Sequence, residues 1–279
     1  MAVKIVTDSL GDVPPEVAEE LGITVIPINV LFGPESFRDG VDLTTDQFYH
    51  KLMHSKTFPT TIVPPLDVFV DIYNKLAEET DEIAVITISH KLSAAYGAAL
   101  QAKELMKRKC RVEVVDSLWA VMAQGLIVIA AAKAAKAGAS LDEVVALAHF
   151  NIPRVDVRMA FDTLEYLKRG GRIGKAQAFL GSVLKLNPVL GLRDGEVFPF
   201  ARERSRAKAI DYLYNFATSF SHIDEMAVEH ATTPDEADKL TERLSSKFPR
   251  ERIYRSKVSP VVGAHVGPHV LAVAVLGDK

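Results

Sequence analysis

The sequence predicts an α/β protein of two domains, with a mostly parallel sheet in the first domain and a mixed sheet in the second. Short apolar segments alternate with helical segments through the first half, which is typical of a parallel sheet with helices on both faces. The second half contains a hairpin signal and several further strands. A length of 279 residues suits two domains that share one interface. We place these domains at residues 1–155 and 156–279, with a ligand tunnel between or beside them.

The first half of the chain carries the strands of the expected parallel sheet. Apolar runs predict these strands at residues 3–7, 23–31, 83–88 and 112–115. Asp12 is expected to cap the helix after the first strand, and Gly22 follows the end of that helix. Pro27 places part of the second strand at a sheet edge. Thr44 and Gln47 have the spacing of a capping box, so a short helix begins there.

Two longer helices follow, over about residues 92–107 and 118–137. The second is rich in alanine and apolar on nearly every side, which is typical of a helix buried all round. Ser140 and Glu143 predict the cap of the next helix.

The second half differs in its connections. A strand is expected at residues 158–162, and a helix ends at Gly170. Apolar runs on either side of Asp194-Gly195 predict a hairpin, because this dipeptide suits a two-residue turn. Thr233 and Glu236 predict a capping box. Other helices and strands are expected at residues 205–220, 226–229, 252–257 and 270–276.

Composition excludes several classes of protein. The formal net charge of −3 argues against a nucleic-acid-binding protein. The single cysteine, Cys110, cannot form an internal disulfide or a cysteine cluster for zinc. The apolar start is interpreted as a strand and not as a secretory signal, so we expect a cytoplasmic protein.

Sequence motifs for common cofactors are missing. The chain contains no GxGxxG, GxxxxGK[ST], HExxH or GxSxG pattern. His265 and His269 are four residues apart, but Gly267 and Pro268 between them break a shared helix face. We therefore expect no metal site and no cofactor.

Three segments carry side chains that suit ligand binding. Ser89 and Ser93 follow a buried strand and precede a helix, where unpaired N–H groups favour an anion, although either serine could simply cap the helix. Thr61 lies in a proline-rich segment that is either a clamp or a connector. His265 is the one group near the last loop that exchanges a proton near neutral pH.

An apolar segment before the hairpin exceeds what one helix face needs, so it forms either core or the wall of a tunnel. It comprises Ala178, Phe179, Leu180, Val183, Leu184 and Leu186.

Together these segments resemble the DegV family over nearly the entire chain, in particular its fatty-acid-binding proteins of the FakB type. The most specific stretch is residues 163–174, Thr-Leu-Glu-Tyr-Leu-Lys-Arg-Gly-Gly-Arg-Ile-Gly. Residues 88–93 and 263–268 are similar to two other family motifs, whereas Ile62 and Val63 replace a Ser and a Gln that the family usually has.

The resemblance implies a long-chain fatty acid, such as palmitate, in an apolar tunnel. Its carboxyl group would be bound by Thr61 and Ser93. The side chains expected to flank the carboxyl end or contact a partner are His265, Arg172, Arg202 and Arg204. The implied partner is a kinase subunit similar to dihydroxyacetone kinase that makes an acyl phosphate, so the protein would serve fatty acid metabolism as a co-substrate and not as an enzyme. Peripheral membrane contact would allow lipid exchange.

Two other functions stay open at this point. Asp8 and Asp116 each follow a strand, where sheet enzymes place acids, so a small hydrolase or phosphotransferase could use either with His265. Turn or cap formation is the favoured interpretation of both aspartates. The other alternative is a regulatory sensor of acyl chains.

Overall fold

The protein is described by a computed structural model that covers residues 2–180 and 186–279. Its strands are β1 (Lys4–Asp8), β2 (Ile23–Ile26), β3 (Asn29–Phe32), β4 (Glu35–Arg38), β5 (Thr60–Ile62), β6 (Glu82–Thr87), β7 (Arg111–Asp116), β8 (Val155–Ala160), β9 (Asn187–Arg193), β10 (Glu196–Glu203), β11 (His222–His230), β12 (Ile253–Lys257) and β13 (Leu271–Asp278). Its α-helices are α1 (Pro15–Leu21), α2 (Thr45–His54), α3 (Leu66–Leu76), α4 (Ala95–Glu104), α5 (Val121–Lys136), α6 (Leu141–Asn151), α7 (Glu165–Arg169), α8 (Arg206–Ala217), α9 (Pro234–Ser245) and α10 (Pro260–Val266). Short 3-10 helices cover Ser9–Gly11, Gly174–Phe179 and Arg250–Arg252.

The first sheet has the order β2-β1-β6-β7, and all of its pairs are parallel. Helices α3 and α4 cover one face through Phe69, Tyr73 and Ala99, while α5 and α6 pack on the other face. The predicted parallel sheet with helices on both faces is confirmed.

The second sheet has the order β10-β9-β8-β13-β11-β12 and is mixed, because only β11 and β12 are parallel. Helices α8 and α9 cover its outer face. The predicted hairpin is present: Asp194 and Gly195 join β9 to β10, and both have positive φ. A side chain is excluded at Gly195, since a Cβ there would lie 2.6 Å from Ser89 Oγ.

Helix α5 lies between the two main sheets, in contact with β1 on one side and β8, β11 and β13 on the other. Twelve of its residues are buried, which explains why its sequence shows no polar face. The two sheets therefore share one core through this helix. The division at residue 155 stays a prediction.

Two predicted elements differ from the structure. The expected strand at residues 23–31 is two strands, because Pro27 separates β2 from β3, and β3 joins a small antiparallel sheet with β4 and β5. The predicted strand at residues 158–162 begins and ends earlier, as β8.

Two predicted caps are wrong, whereas the capping boxes at Thr44 and Ser140 are confirmed. Asp12 does not cap α1: its carboxylate accepts a hydrogen bond from the Ser259 N–H instead. Thr233 makes no capping bond with its side chain, and the Glu236 side chain, the other half of the predicted box, pairs with Arg206.

Candidate functional site

A cavity of about 320 Å³ lies at the carboxyl ends of the first sheet and is closed on its other side by β8, β9 and α10. Such a volume falls within the range of small-molecule pockets, about 300–1,000 Å³. Leu10, Ile28, Ile88 and Ala120 each follow one of the four parallel strands, so the site lies where α/β sheets usually bind ligands.

Most of the lining is aliphatic or aromatic. Besides those four residues, the apolar side chains are Ile62, Val63, Leu92, Ala94, Val121, Met159, Phe161, Leu167, Leu190, Leu192, Val197, Val261, Val262 and Val266. Most of them are buried, so this wall offers an extended ligand a dry, apolar surface.

The polar groups of the cavity come from separate segments of the chain. Thr61 on β5 and His265 on α10 are joined by a hydrogen bond of 2.8 Å between Oγ1 and Nε2. Ser93 lies just before α4, and Arg172 lies after α7. Arg172 Nε donates to the carbonyl of Leu92, next to Ser93, at 3.2 Å. The structure thus brings the predicted residues Thr61, Ser93, His265 and Arg172 to one cavity.

The imidazole of His265 is neutral in this setting. Burial, followed by the positive charge of Arg172, lowers its pKa to about 4. Its Nδ1 has no hydrogen-bond partner among the described residues and faces Gly170, where a Cβ would lie only 2.3 Å away. The glycine therefore makes the space in which the ring sits.

Arg172 carries the charge of the site. Among the described lining residues it is the only side chain that is ionised at neutral pH, because His265 is neutral and no carboxylate lines the cavity. Its Nη1 donates to the carbonyl of Gly170 at 2.7 Å. One uncompensated positive charge beside an apolar cavity suits a ligand with a single anionic group.

The two serines of the segment before α4 have different environments. Ser93 is half-buried, lines the cavity and accepts a local bond from the Ala95 N–H at 3.2 Å. Its hydroxyl hydrogen has no bond to another described residue. Ser89 is buried outside the cavity and donates to the carbonyl of Gly195 at 2.8 Å. Ser89 therefore secures the hairpin, and Ser93 faces the ligand space.

Arg202 and Arg204 do not line the cavity. Arg202 donates to the carbonyl of Ala178 at 2.7 Å and stacks on Phe179, with 4.1 Å between guanidinium and ring centre. Arg204 is exposed on the surface. Their predicted role at the partner interface stays a prediction.

The apolar segment before the hairpin also lies away from the cavity lining as far as it is described. Ala178, Phe179, Leu180 and Leu186 are not part of the lining. Val183 and Leu184 lie outside the described residues.

The two acids considered for an enzyme are engaged in hydrogen bonds with neighbouring segments. Asp8 accepts bonds from the N–H groups of Leu10 and Ile88, and burial raises its pKa to about 6. Asp116 binds His90 and accepts from the Leu118 N–H. Neither acid lines the cavity that contains His265.

Sequence reasoning missed much of the far wall. Met159, Phe161 and Leu190 come from the second sheet, and Val121 begins α5 with φ of 53°. Periodicity marks such residues as core, but no local pattern distinguishes a residue that faces a cavity from one that faces a neighbour.

The described ranges contain neither a metal-binding cluster nor a membrane-spanning helix. Across residues 2–180 and 186–279, no three His, Cys, Asp or Glu side chains are grouped to hold a metal ion. No helix in the same ranges is both long and apolar enough to cross a bilayer.

Comparison with known proteins places these features in a family. The model of the DegV family matches residues 2–278. The protein DegV of Bacillus subtilis is 33% identical over 278 residues, which is 98% of each chain. Among solved structures, a fatty-acid-binding DegV-family protein from Thermus thermophilus has a TM-score of 0.90 and 33% identity, over 99% of this chain and 100% of that one. A stearic-acid-binding protein from Eubacterium ventriosum has a TM-score of 0.89 and 25% identity, over 99% of this chain and 98% of that one. With this fold, this cavity and these matches along its whole length, the chain belongs to the DegV family.

Proposed function

We propose that this protein binds one long-chain fatty acid in the cavity and presents its carboxyl group to a partner kinase. The observation that carries the proposal is the composition of the cavity: an apolar wall with Thr61, Ser93, His265 and one cation, Arg172. The similar proteins from Thermus thermophilus and Eubacterium ventriosum bind fatty acids, which supports the same class of ligand here.

Binding would be driven by the acyl chain. Burial of a methylene contributes about 0.8 kcal/mol, so a chain of roughly fifteen methylenes contributes on the order of 12 kcal/mol before the costs of association. Lining residues such as Phe161 and Leu192 are buried and apolar, so contact with the acyl chain breaks no hydrogen bond of their side chains.

The head group would be held by neutral donors with a cation nearby. A buried polar group without partners costs about 1–3 kcal/mol in proteins, so the carboxylate requires hydrogen bonds. Ser93 has a hydroxyl hydrogen to donate, and Thr61 shares a hydrogen bond with neutral His265. Because Arg172 is exposed, its attraction is screened, and the carboxylate oxygen remains accessible to a second reactant.

The partner would be a kinase subunit similar to dihydroxyacetone kinase, which transfers a phosphoryl group to the carboxylate. In this role the protein is a co-substrate without turnover of its own. The location of Asp8 and Asp116 away from the cavity argues against the alternative hydrolase or phosphotransferase.

Exchange of the fatty acid would involve transient contact with a membrane surface. Ile62 lines the cavity and is still 55% exposed, so an apolar side chain already lies at the opening.

The first experiment is extraction of the purified protein with organic solvent, followed by mass spectrometry. We expect close to one fatty acid per chain. The variant Ala94→Trp places a large ring at an exposed position of the lining and should lower the lipid content strongly. Leu100→Trp adds the same ring at an exposed position of α4, the helix that follows Ala94, outside the cavity, and should retain the lipid.

The outcomes separate the parts of the proposal. Wild-type protein that contains no lipid and takes up neither oleate nor palmitate would overturn fatty acid binding. Acyl-phosphate formation is tested separately, by adding loaded protein and ATP to a dihydroxyacetone-kinase-like subunit. Loaded protein that supports no acyl phosphate with any such subunit, or that hydrolyses ATP alone, would overturn the co-substrate role.

A further inference from the structure

Three buried carboxyl groups lie on the side of α10 away from the ligand cavity. Asp12 follows the first 3-10 helix, Asp39 follows β4, and Glu229 lies on β11. Their exposed fractions are 6%, 6% and 0%. The electrostatic neighbours of Asp12 are Glu229 and Asp39, both acidic.

No cation among the described residues forms an ion pair with this cluster, although His230, Arg255 and Lys257 line the same cavity as Asp12 and Asp39. The Tyr49 hydroxyl on α2 also faces the cluster and donates to the carbonyl of Val258 at 3.1 Å. On β12, Arg255 pairs with Asp238 and Lys257 with Asp46. Next to Glu229 on β11 lies His230, whose pKa is lowered mainly by burial and further by these two cations. Three buried carboxylates that form no ion pair with these cations cannot all be ionised, so the cluster must hold protons or a bound cation.

The hydrogen bonds of the cluster leave three carboxylate oxygens without a partner. Asp12 Oδ1 accepts from the Ser259 N–H at 3.2 Å, and Glu229 Oε1 accepts from the Met122 N–H at 3.3 Å. Asp12 Oδ2, Asp39 Oδ2 and Glu229 Oε2 are buried without a donor. The Asp12 side chain lies within hydrogen-bonding reach of Glu229 and lowers its pKa, although burial outweighs this effect and raises that pKa to about 7.

A second observation comes from Ser259. Its side chain is 8% exposed and faces both Asp12 and Asp39, yet its Oγ forms no hydrogen bond of acceptable geometry. The one hydrogen that this hydroxyl can donate satisfies at most one of the three orphan carboxylate oxygens, so the cluster is short of hydrogens that its own donors do not supply. One proton placed between Asp12 Oδ2 and Glu229 Oε2 satisfies two of the three.

We propose that Asp12 and Glu229 share one proton, and that this pair positions the amino-terminal ends of α10 and α5 around the ligand cavity. Asp12 accepts a hydrogen bond from the N–H of Ser259, the residue immediately before α10, and thereby positions this helix and its His265. Glu229 holds Met122, next to Val121 of the lining. Asp12 and Glu229 are positioning residues, because neither lines the ligand cavity.

Loss of the shared proton leaves two like charges in a low-dielectric setting and pushes these two anchors apart. The direction with pH follows from the raised pKa values. The folded protein binds the proton more strongly than the unfolded chain does, so stability from this pair is present at low pH and is lost as the pH rises through about 7. Any effect on ligand binding rests on the proposed function, whereas the proton itself does not.

The test uses Glu229→Gln, in which the amide oxygen still accepts from Met122 and the amide nitrogen donates permanently to Asp12. Thermal unfolding is measured from about pH 5.5 to about pH 8.5, the interval that contains the titration. We expect the melting temperature of the wild type to fall with pH clearly more than that of Glu229→Gln. The control Glu225→Gln on the same strand removes a carboxylate paired with Lys133 and should keep the wild-type profile.

Infrared spectroscopy at neutral pH provides a readout that does not depend on folding energetics. The carbonyl stretch of protonated carboxyls should be present in wild type and clearly weaker in the double variant Asp12→Asn with Glu229→Gln, in which Asp39 still contributes because burial raises its pKa to about 7. Asp12→Asn alone serves if Glu229→Gln does not fold. An identical pH profile in wild type and variant, or no protonated carboxyl, would overturn the proposal. A stoichiometric metal that chelators remove with loss of stability would also overturn it, since a cation would then replace the proton.

The link to the ligand is tested by the release rate of a fluorescent fatty acid. We expect release from wild type to accelerate about threefold or more across the same pH interval, within the limit of tenfold per pH unit for one proton, and release from Glu229→Gln to change less. Equal acceleration in both proteins would overturn the positioning role. If the wild type binds no fatty acid, the proposed function fails, while the thermal and infrared results still decide whether the proton is present.

Discussion

Removal of the Ser93 hydroxyl is the most direct test of how the cavity holds a carboxylate. Ser93 lines the cavity, and its oxygen is used only to accept the local Ala95 N–H at 3.2 Å. Ser93→Ala therefore costs little folding energy and deletes one donor to the ligand. A hydrogen bond to a charged group contributes about 1.5–3 kcal/mol. Because Ser93 is half-buried and water can replace part of the bond, we expect the lower end, a rise in Kd of about tenfold.

The acyl chain sets the scale against which this loss is read. Roughly fifteen methylenes contribute on the order of 12 kcal/mol before association costs, so Ser93→Ala should weaken binding and not abolish it. Displacement of a fluorescent fatty acid by oleate measures the change. The matched control is Ser89→Ala, which removes a hydroxyl from the same segment that bonds Gly195 outside the cavity. This control should lower the melting temperature and leave Kd unchanged. Unchanged affinity in Ser93→Ala, or an equal loss in Ser89→Ala, would refute the assignment of Ser93 as a head-group donor.

Three further predictions concern the same end of the cavity. Arg172→Gln should raise Kd by only about two- to fivefold at low salt and less at high salt, because an exposed cation contributes about 1 kcal/mol or less. Binding titrations at two salt concentrations check this, and a salt-independent hundredfold rise in Kd would contradict it. Gly170→Ala should lower the free energy of unfolding, measured by urea titration, by about 1–3 kcal/mol, since its Cβ would lie 2.3 Å from His265 Nδ1. The control Gly97→Ala on α4 has open space around its Cβ and should be neutral or stabilising in the same titration. His265 binds fewer protons in the folded protein than in the unfolded chain, so its contribution of about 3 kcal/mol to the free energy of unfolding should be lost as the pH falls from 6.5 through about 4. In His265→Gln the free energy of unfolding, measured with urea, should depend less on pH in that interval. A pH dependence equal to that of the wild type would count against the buried neutral ring.

Sequence patterns predicted local structure well where the causes are local. The capping boxes at Thr44 and Ser140, the Asp194-Gly195 turn and the alternation of strands with helices all depend on residues within a few positions of one another. Family motifs predict Thr61 and Ser93 as carboxyl-binding residues and His265 and Arg172 as residues that flank the carboxyl end or contact a partner, and the structure brings these four to one cavity. Whether they bind a carboxylate stays a prediction.

Side chains with distant partners were the ones that local reasoning misread. Asp12 has the spacing of a helix cap, but its carboxylate binds Ser259, 247 residues away. Glu236 completes a capping-box pattern in the sequence, but in the structure its side chain pairs with Arg206. In both cases a group from another element, a buried N–H or a charged side chain, is a stronger hydrogen-bond partner than the exposed end of a helix. The local sequence contains no information about that distant partner.

The same long-range bonds explain how a cavity forms in a protein whose core is otherwise close-packed. Asp12, Tyr49 and Thr61 each bond to the segment 258–265, at Ser259, the carbonyl of Val258 and His265 respectively. These bonds fix the polar groups of α10 against the first 3-10 helix, α2 and β5, so we expect its position to depend less on aliphatic packing. The apolar side chains on its inner face, such as Val262, can then face empty space without loss of the helix's position. Filling that space from inside, by Val262→Leu, should therefore reduce lipid content more than it changes the melting temperature, whereas a larger loss of stability than of lipid would mean that aliphatic contacts hold α10 after all.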